Sequence, residues 1–274
     1  MPAPNVITPD KLGRLLGSAA TPRIVDLRDK PAEAIPASLF PTHPDPTNWG
    51  YAPGFRAVIV DADGGGPAAA AAAVLRSDGV AADVLEGGFA AWVASALPVV
   101  SLAHLPARHE DGRTWWVTRA RPKVDRIACP WLIRRFVDPE ARFLFVAPGE
   151  VLTVASLQRA EPFDVADEGV FWSHHAERCT FDAMVEAFGL ATHEPLVRLA
   201  AIVRGADTDR RDLAPEAAGL LAISLGLSRI HSDDHAQLDA GMAVYDALYR
   251  WCRDAQGEKH NWSSHQPTRG KVSP

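Results

Sequence analysis

Short apolar runs set off by turn residues dominate the first hundred positions. Residues 23–27, 56–60 and 82–85 each carry a compact apolar run bounded by glycine, proline or charge, and read as buried strands. Helical segments fall between them. Thr8-Pro9 opens one through residue 16, the alanine-rich 67–76 follows the glycines at 64–66, and 89–93 follows Gly87-Gly88. Strands alternating with helices predict a parallel α/β sheet over residues 1–100.

After residue 113 the pattern changes. Trp115-Trp116-Val117-Thr118 reads as a buried strand and 141–147 as another; Pro148-Gly149 makes a turn, and 163–172 is extended. Helices then follow at 180–188, with Thr180 as N-cap and Gly189 as stop, and at 195–205, 217–230 and 233–252. On the last, Leu238, Met242, Tyr245, Tyr249 and Cys252 recur at spacings of four and three. That stripe serves as core or as a contact between two copies, which leaves a homodimer open, and Cys252 reads as structural. The pattern predicts a mainly helical α+β domain over 114–254, joined by a linker at 101–113 and followed by a disordered polar tail at 255–274.

Bulk properties narrow the function classes. A net charge of −6 over 274 residues argues against general nucleic-acid binding. Three widely spaced cysteines give no disulfide framework and suit a reducing compartment. Residues 1–10 lack the basic start and apolar core of a signal peptide, and the longest apolar run, 67–75, is too short to span a bilayer. The expectation is a cytoplasmic protein with no membrane partner.

Against that acidic total, residues 115–146 hold seven basic side chains and three acidic ones. Arg119, Arg121, Lys123 and Arg126 are the candidates for binding an anion, since clustered cations at a helix start favour a small dianion. Pro130 fits the first position of a helix running to about residue 137, which makes Cys129 the N-cap and a candidate redox thiol whose thiolate the helix dipole and Arg126 would favour. The other reading is one longer helix from about Val124, kinked at Pro130. A second cluster lies in Ser173–Asp182. His174 and Glu177, with Asp207 at a later helix end, are the candidate ligands for a divalent metal; Cys179 is a fourth ligand or a buried thiol, and His231 and His235 are further donors.

Two resemblances give these clusters a context. The run from Trp116 to Val146, with 174–182, 202–208 and 217–253, resembles the chromate-resistance protein family. That resemblance implies handling or sensing of chromate, and some members are chromate-responsive regulators. In the first hundred residues, Asp26-Leu27-Arg28, Ile35-Pro36-Ala37 and Leu85-Glu86-Gly87-Gly88-Phe89-Ala90-Ala91-Trp92 resemble a rhodanese-like (sulfurtransferase) domain. A catalytic rhodanese carries its cysteine directly after the second strand. Here Asp61 stands there, and a carboxylate cannot carry sulfane sulfur. The expected protein therefore binds or senses chromate or a related oxyanion. The alternatives are a sulfurtransferase-related or metal-dependent enzyme and, third, a DNA-binding regulator.

Overall fold

The computed structural model describes residues 5–258. Of the predicted tail, 259–274 lies outside the described residues. In chain order the first half comprises β1 (Val6–Ile7), α1 (Pro9–Gly13), β2 (Arg23–Asp26), β3 (Glu33–Ala34), β4 (Ser38–Leu39), β5 (Arg56–Val60), α2 (Gly66–Ser77), β6 (Ala81–Leu85), α3 (Gly88–Ala94) and β7 (Val100–Ser101). Strands β1, β6, β5, β2 and β4 form one parallel sheet in that order. The alternation along β5 divides its faces. Ala57 and Ile59 pack with Ala68, Ala72 and Leu75 of α2, while Val58 and Val60 pack with Leu12 of α1 and Trp92 of α3. Helices thus cover both faces, as buried parallel strands require.

The second half comprises β8 (Trp115–Arg119), α4 (Asp125–Leu132), β9 (Arg142–Val146), α5 (Val151–Gln158), β10 (Glu161–Pro162), α6 (Thr180–Ala187), α7 (Glu194–Asp207), α8 (Ala217–Ile230) and α9 (Asp234–Asp254). Strands β10, β8 and β9 form a parallel sheet. Trp116 faces the helical core and Val117 faces α5, again by alternation. Helix α5 was not foreseen from the sequence. The chain is mixed α/β, with parallel sheets and, among the described residues, nine α-helices.

The start of α4 corrects one expectation. Pro130 is inside the helix rather than at its first turn, so Cys129 is not an N-cap. The longer helix is the one that forms, continuing as a wider π turn over Ile133–Val137 in which Asp138 N–H reaches back to Ile133 O (2.7 Å). Burial outweighs the cost of the interior proline: Ile127 to Ile133 are fully enclosed, against α6, α7 and α9. Asp138, before Pro139, is extended, which ends the helix close to the predicted residue 137. At α6 the N-cap is Cys179, whose N–H donates to Asp182 Oδ2 (3.1 Å), and Thr180 is the first helical residue. The apolar stripe of α9 is buried within this chain, which makes it core.

The predicted linker is packed. β7 pairs antiparallel with β3, Arg108 bridges to Asp138 (3.2 Å), and the His109 ring stacks on Trp115 at 4.4 Å. Elsewhere the halves meet through Ala37 N–H to Phe136 O (2.7 Å), Arg23 to Glu140 (2.6 Å) and Arg253 to Leu16 O (3.1 Å). Tyr249 seats its ring so closely on Gly17 that a Cβ there would overlap it. Gly17 also has φ +74°, so two constraints require glycine.

Candidate metal centre

The C-terminal edge of the small sheet, where parallel strands commonly present ligands, gathers two strand ends, two helix ends and a loop. Arg119 ends β8, and Asp164 follows β10 by two residues. Asp125 opens α4, Asp207 closes α7, and His174 comes from the loop before α6. The backbone is forced into place around them. Val124 adopts φ +37°, which a β-branched residue resists. Its N–H donates to Ser224 Oγ (3.2 Å), and its carbonyl accepts from Tyr245 OH (2.8 Å). Asp164, at φ +52°, is held by its N–H to Trp172 O (2.8 Å). Such strain persists where surrounding contacts over-determine it, as at functional sites.

His174 Nε2 stands 3.1 Å from Asp164 Oδ1, 3.3 Å from Asp207 Oδ2 and 3.5 Å from Asp125 Oδ2. Donor atoms of Asp125, His174 and Asp207 all lie within 4.8 Å of one another. Ligands on metal bonds of about 2.0–2.2 Å sit roughly 3.0–3.5 Å apart, so the imidazole-to-carboxylate spacing already suits one ion. Asp125 is 1% exposed, and its carboxylate accepts from the N–H groups of Thr180 (2.6 Å) and Phe181 (3.2 Å) at the start of α6. Asp164 accepts from Thr180 Oγ1 (3.1 Å) and pairs with Arg119 Nη2 and Arg126 Nε, each at 3.2 Å.

The electrostatics are those of crowded acids. Hydrogen bonds to Asp125 and Asp164 push the imidazole of His174 up to about 10, so without metal it is protonated and acts as the counter-cation. Burial, reinforced by the charges of Asp125 and Asp164, lifts Asp207 to about 7. Burial also raises Asp125, although His174 opposes it. At Asp164 burial pushes the same way, but His174, Arg126 and Arg119 outweigh it and the carboxyl is held low. With all three carboxyls ionised, two guanidinium groups leave one negative charge, which the imidazolium cancels. A divalent ion on a neutral His174 would instead leave the cluster one charge positive.

The structure divides the residues picked out by sequence. His174 and Asp207 are brought together. Glu177 is not: its side chain is 88% exposed and lies 3.7 Å from Arg210. Asp125 takes its place, with Asp164 beside it. Arg119 and Arg126 converge on Asp164, but Arg121 turns away to cap the end of α8, donating to the carbonyls of Ser228, His231 (2.9 Å) and Ser232 (3.4 Å). Lys123 is exposed. The four basic residues therefore form no single cradle. Cys129 is 0% exposed, and burial, with the charges of Asp125 and Asp164 behind it, pushes its thiol well above the usual range; a thiolate is disfavoured there. Cys179 is buried and raised for the same reason, and its Sγ lies 3.4 Å from Asp182. His231 and His235 stand apart, the latter edge-on to Phe145 at 5.3 Å. Among the described residues no helix is long and apolar enough to cross a membrane.

All of Arg119, Asp125, Arg126, Asp164, His174 and Asp207 fall within residues 116–252, which match the family described as ChrB, C-terminal domain. Over 134 residues the chain is 35% identical to Protein ChrB of Cupriavidus metallidurans, an alignment covering 49% of this chain and 39% of that protein. The chain therefore spans about two-fifths of that relative's length. No solved structure matches. With half of its length matched, and with the acid–histidine cluster inside the matched half, the chain belongs to the ChrB C-terminal-domain family.

Proposed function

We propose that the C-terminal half holds a divalent metal through Asp125, His174 and Asp207, and that the metal and the neighbouring Arg119 and Arg126 bind chromate or a related tetrahedral oxyanion. Family membership supports a place in chromate resistance. The observation that carries the finer reading is the convergence of one imidazole and two carboxylates, with a third carboxylate at hydrogen-bond distance. One nitrogen and several oxygens suit manganese, iron(II) or zinc. Replacing the imidazolium proton by a divalent ion turns a neutral cluster into a positive one, which gives an oxyanion a reason to bind beside Asp164. Chromate consumption by Cys129 is not part of the reading, because its thiol is enclosed.

The test is metal content of the full chain after exposure to Mn²⁺ or Zn²⁺, followed by chromate and sulfate titration of metal-loaded and metal-free protein. One ion per chain, and oxyanion binding that needs it, are expected. Oxyanion binding indifferent to metal would overturn the reading.

For the N-terminal half we read a rhodanese-like domain that does not transfer sulfur. The parallel sheet and the loop after β5 support this reading. There Asp61 Oδ1 accepts from the N–H groups of Gly64 (2.6 Å) and Gly65 (3.2 Å), and Oδ2 from Ala68 (3.1 Å). The cradle is filled by the chain's own carboxylate. Thiosulfate-to-cyanide transfer by the purified protein should be absent, and a measurable turnover would sink this reading.

A further inference from the structure

A second site lies in the N-terminal half. A cleft of about 800 Å³ opens at the C-terminal end of β2, between the 40–49 loop, α2 and the segment joining the two halves. Its size is that of a pocket for a small organic ligand, and its place is the edge of a parallel sheet where such ligands bind. Leu27, Phe40, Trp49, Val74, Leu102 and Leu105 give it an apolar wall. The wall is held in shape. Trp49 Nε1 donates to His43 O (2.7 Å), and the N–H of Asp45 donates to His43 Nδ1 (3.0 Å), which fixes the loop on one side.

The polar groups on the wall are few and differ in what they have left to give. Arg28 is committed: its guanidinium grips Asp26 (2.6 Å) and Glu33 O (2.8 Å) and lies 3.5 Å from the centroid of the Phe89 ring. Arg108 commits Nη1 to Gly112 O (2.7 Å) and Asp138 (3.2 Å), but its Nη2 is enclosed with no acceptor. Its guanidinium carbon lies 5.8 Å from the centroid of the Phe40 ring. Lys30 is exposed on the same wall. Apolar walls with one under-used guanidinium suit a ligand with a flat hydrocarbon body and a single acidic end; a polyphosphate would find too few donors.

We propose that this cleft binds a small aromatic acid, its ring between Phe40, Trp49 and Val74 and its acidic oxygens on Arg108. The site is separate from the acid–histidine cluster and does not depend on the metal. The wall takes in α2 from Pro67 onward, and the self-filled Asp61 loop forms no part of it among the described residues.

The test uses two dyes on the full chain, anilinonaphthalene sulfonate and its neutral counterpart phenylnaphthylamine. Saturable binding of both at one per chain is expected, with quenching of tryptophan emission. Ala70→Trp puts a large ring into the cleft from an exposed position on α2 and should weaken both dyes at least tenfold without lowering the melting temperature. Arg108→Met should weaken the sulfonate about tenfold, the loss of one charge-assisted hydrogen bond, and spare the neutral dye. Sulfonate binding that fails to saturate, or that survives Ala70→Trp, would refute the site. Equal loss of both dyes in Arg108→Met would refute the acidic specificity; if that variant melts early, Ala70→Trp still decides whether the cleft binds.

Discussion

Asp61 and the Asp125–Asp164–Asp207 group both lie at the C-terminal ends of parallel strands, yet they are opposite solutions to the same position. After β5, one carboxylate meets three backbone N–H groups, and the local demand for an anion is met from within. After β8 and β10, three carboxylates crowd one imidazole, and only its protonation balances them. The edge of a parallel sheet is thus only a place where a ligand fits. What marks a site as open is polar demand that the chain has not met.

The comparison breaks most decisively at the metal. His174→Ala or Asp207→Asn should lower Mn²⁺ or Zn²⁺ affinity by more than about 100-fold, since even outer-shell changes cost 10–100-fold. Asp61→Asn and Glu177→Ala should leave it unchanged, as read by calorimetric titration. Equal loss from Glu177→Ala would mean that the ligand set is wrong.

Next in size, Asp61→Ala strands the N–H donors of Gly64, Gly65 and Ala68. Urea unfolding should show a loss of about 2–4 kcal/mol. A neutral result would mean that water replaces the carboxylate and that the cradle is not closed.

The seam between the two halves offers a pH test. Burial, with the nearby charge of Arg253, depresses His193 to about 4 from the ordinary 6.5. The unfolded chain therefore takes up the proton first as pH falls. The contribution of neutral His193 is intact above about 6.5 and is lost as pH drops towards 4, an effect on the order of 1 kcal/mol. His193→Gln should flatten the melting-temperature profile between pH 7 and 4.5, and an unchanged profile would assign the slope to other groups.

The smallest effect separates the two acid environments by sign. At pH 8 without metal, Asp207→Asn should stabilise the chain, by up to about 1 kcal/mol, because it relieves like-charge crowding. Asp61→Ala destabilises under the same conditions. If both lower the denaturation midpoint, Asp207 is not under like-charge crowding and its carboxylate is held in place as Asp61's is.

The sheet-forming half of the fold was readable because β5 and β6 are compact apolar runs whose neighbours can be placed by alternation alone. Half of the acid–histidine cluster was readable too, since His174 and Asp207 announce themselves as polar groups at element ends. The rest was hidden for physical reasons. Pro130 pointed to a helix start five residues too late, which concealed Asp125 in the first turn of α4; the burial that overrides proline's local preference is not visible in the chain order. Asp164 sits in a Phe-Asp-Val stretch with no ligand spacing to flag it. Glu177 was favoured because it is near His174 in sequence, but the backbone turns between them at Ala176, which has φ +57°. Arg121 looked like its neighbours until the end of α8 supplied carbonyls for it to cap.

The ring of Tyr249 on Gly17 ties the earliest part of the described chain to its last helix, and that has a consequence for biosynthesis. When residues 5–101 leave the ribosome, the patch around Leu16 and Gly17 has no cover until about 150 more residues have followed. A nascent sheet in that interval shows the open face that chaperones recognise. Cutting the chain at 101–113 makes that interval permanent, so poor yield of an N-terminal fragment would report the missing C-terminal half, α9 included, rather than weakness in the sheet itself.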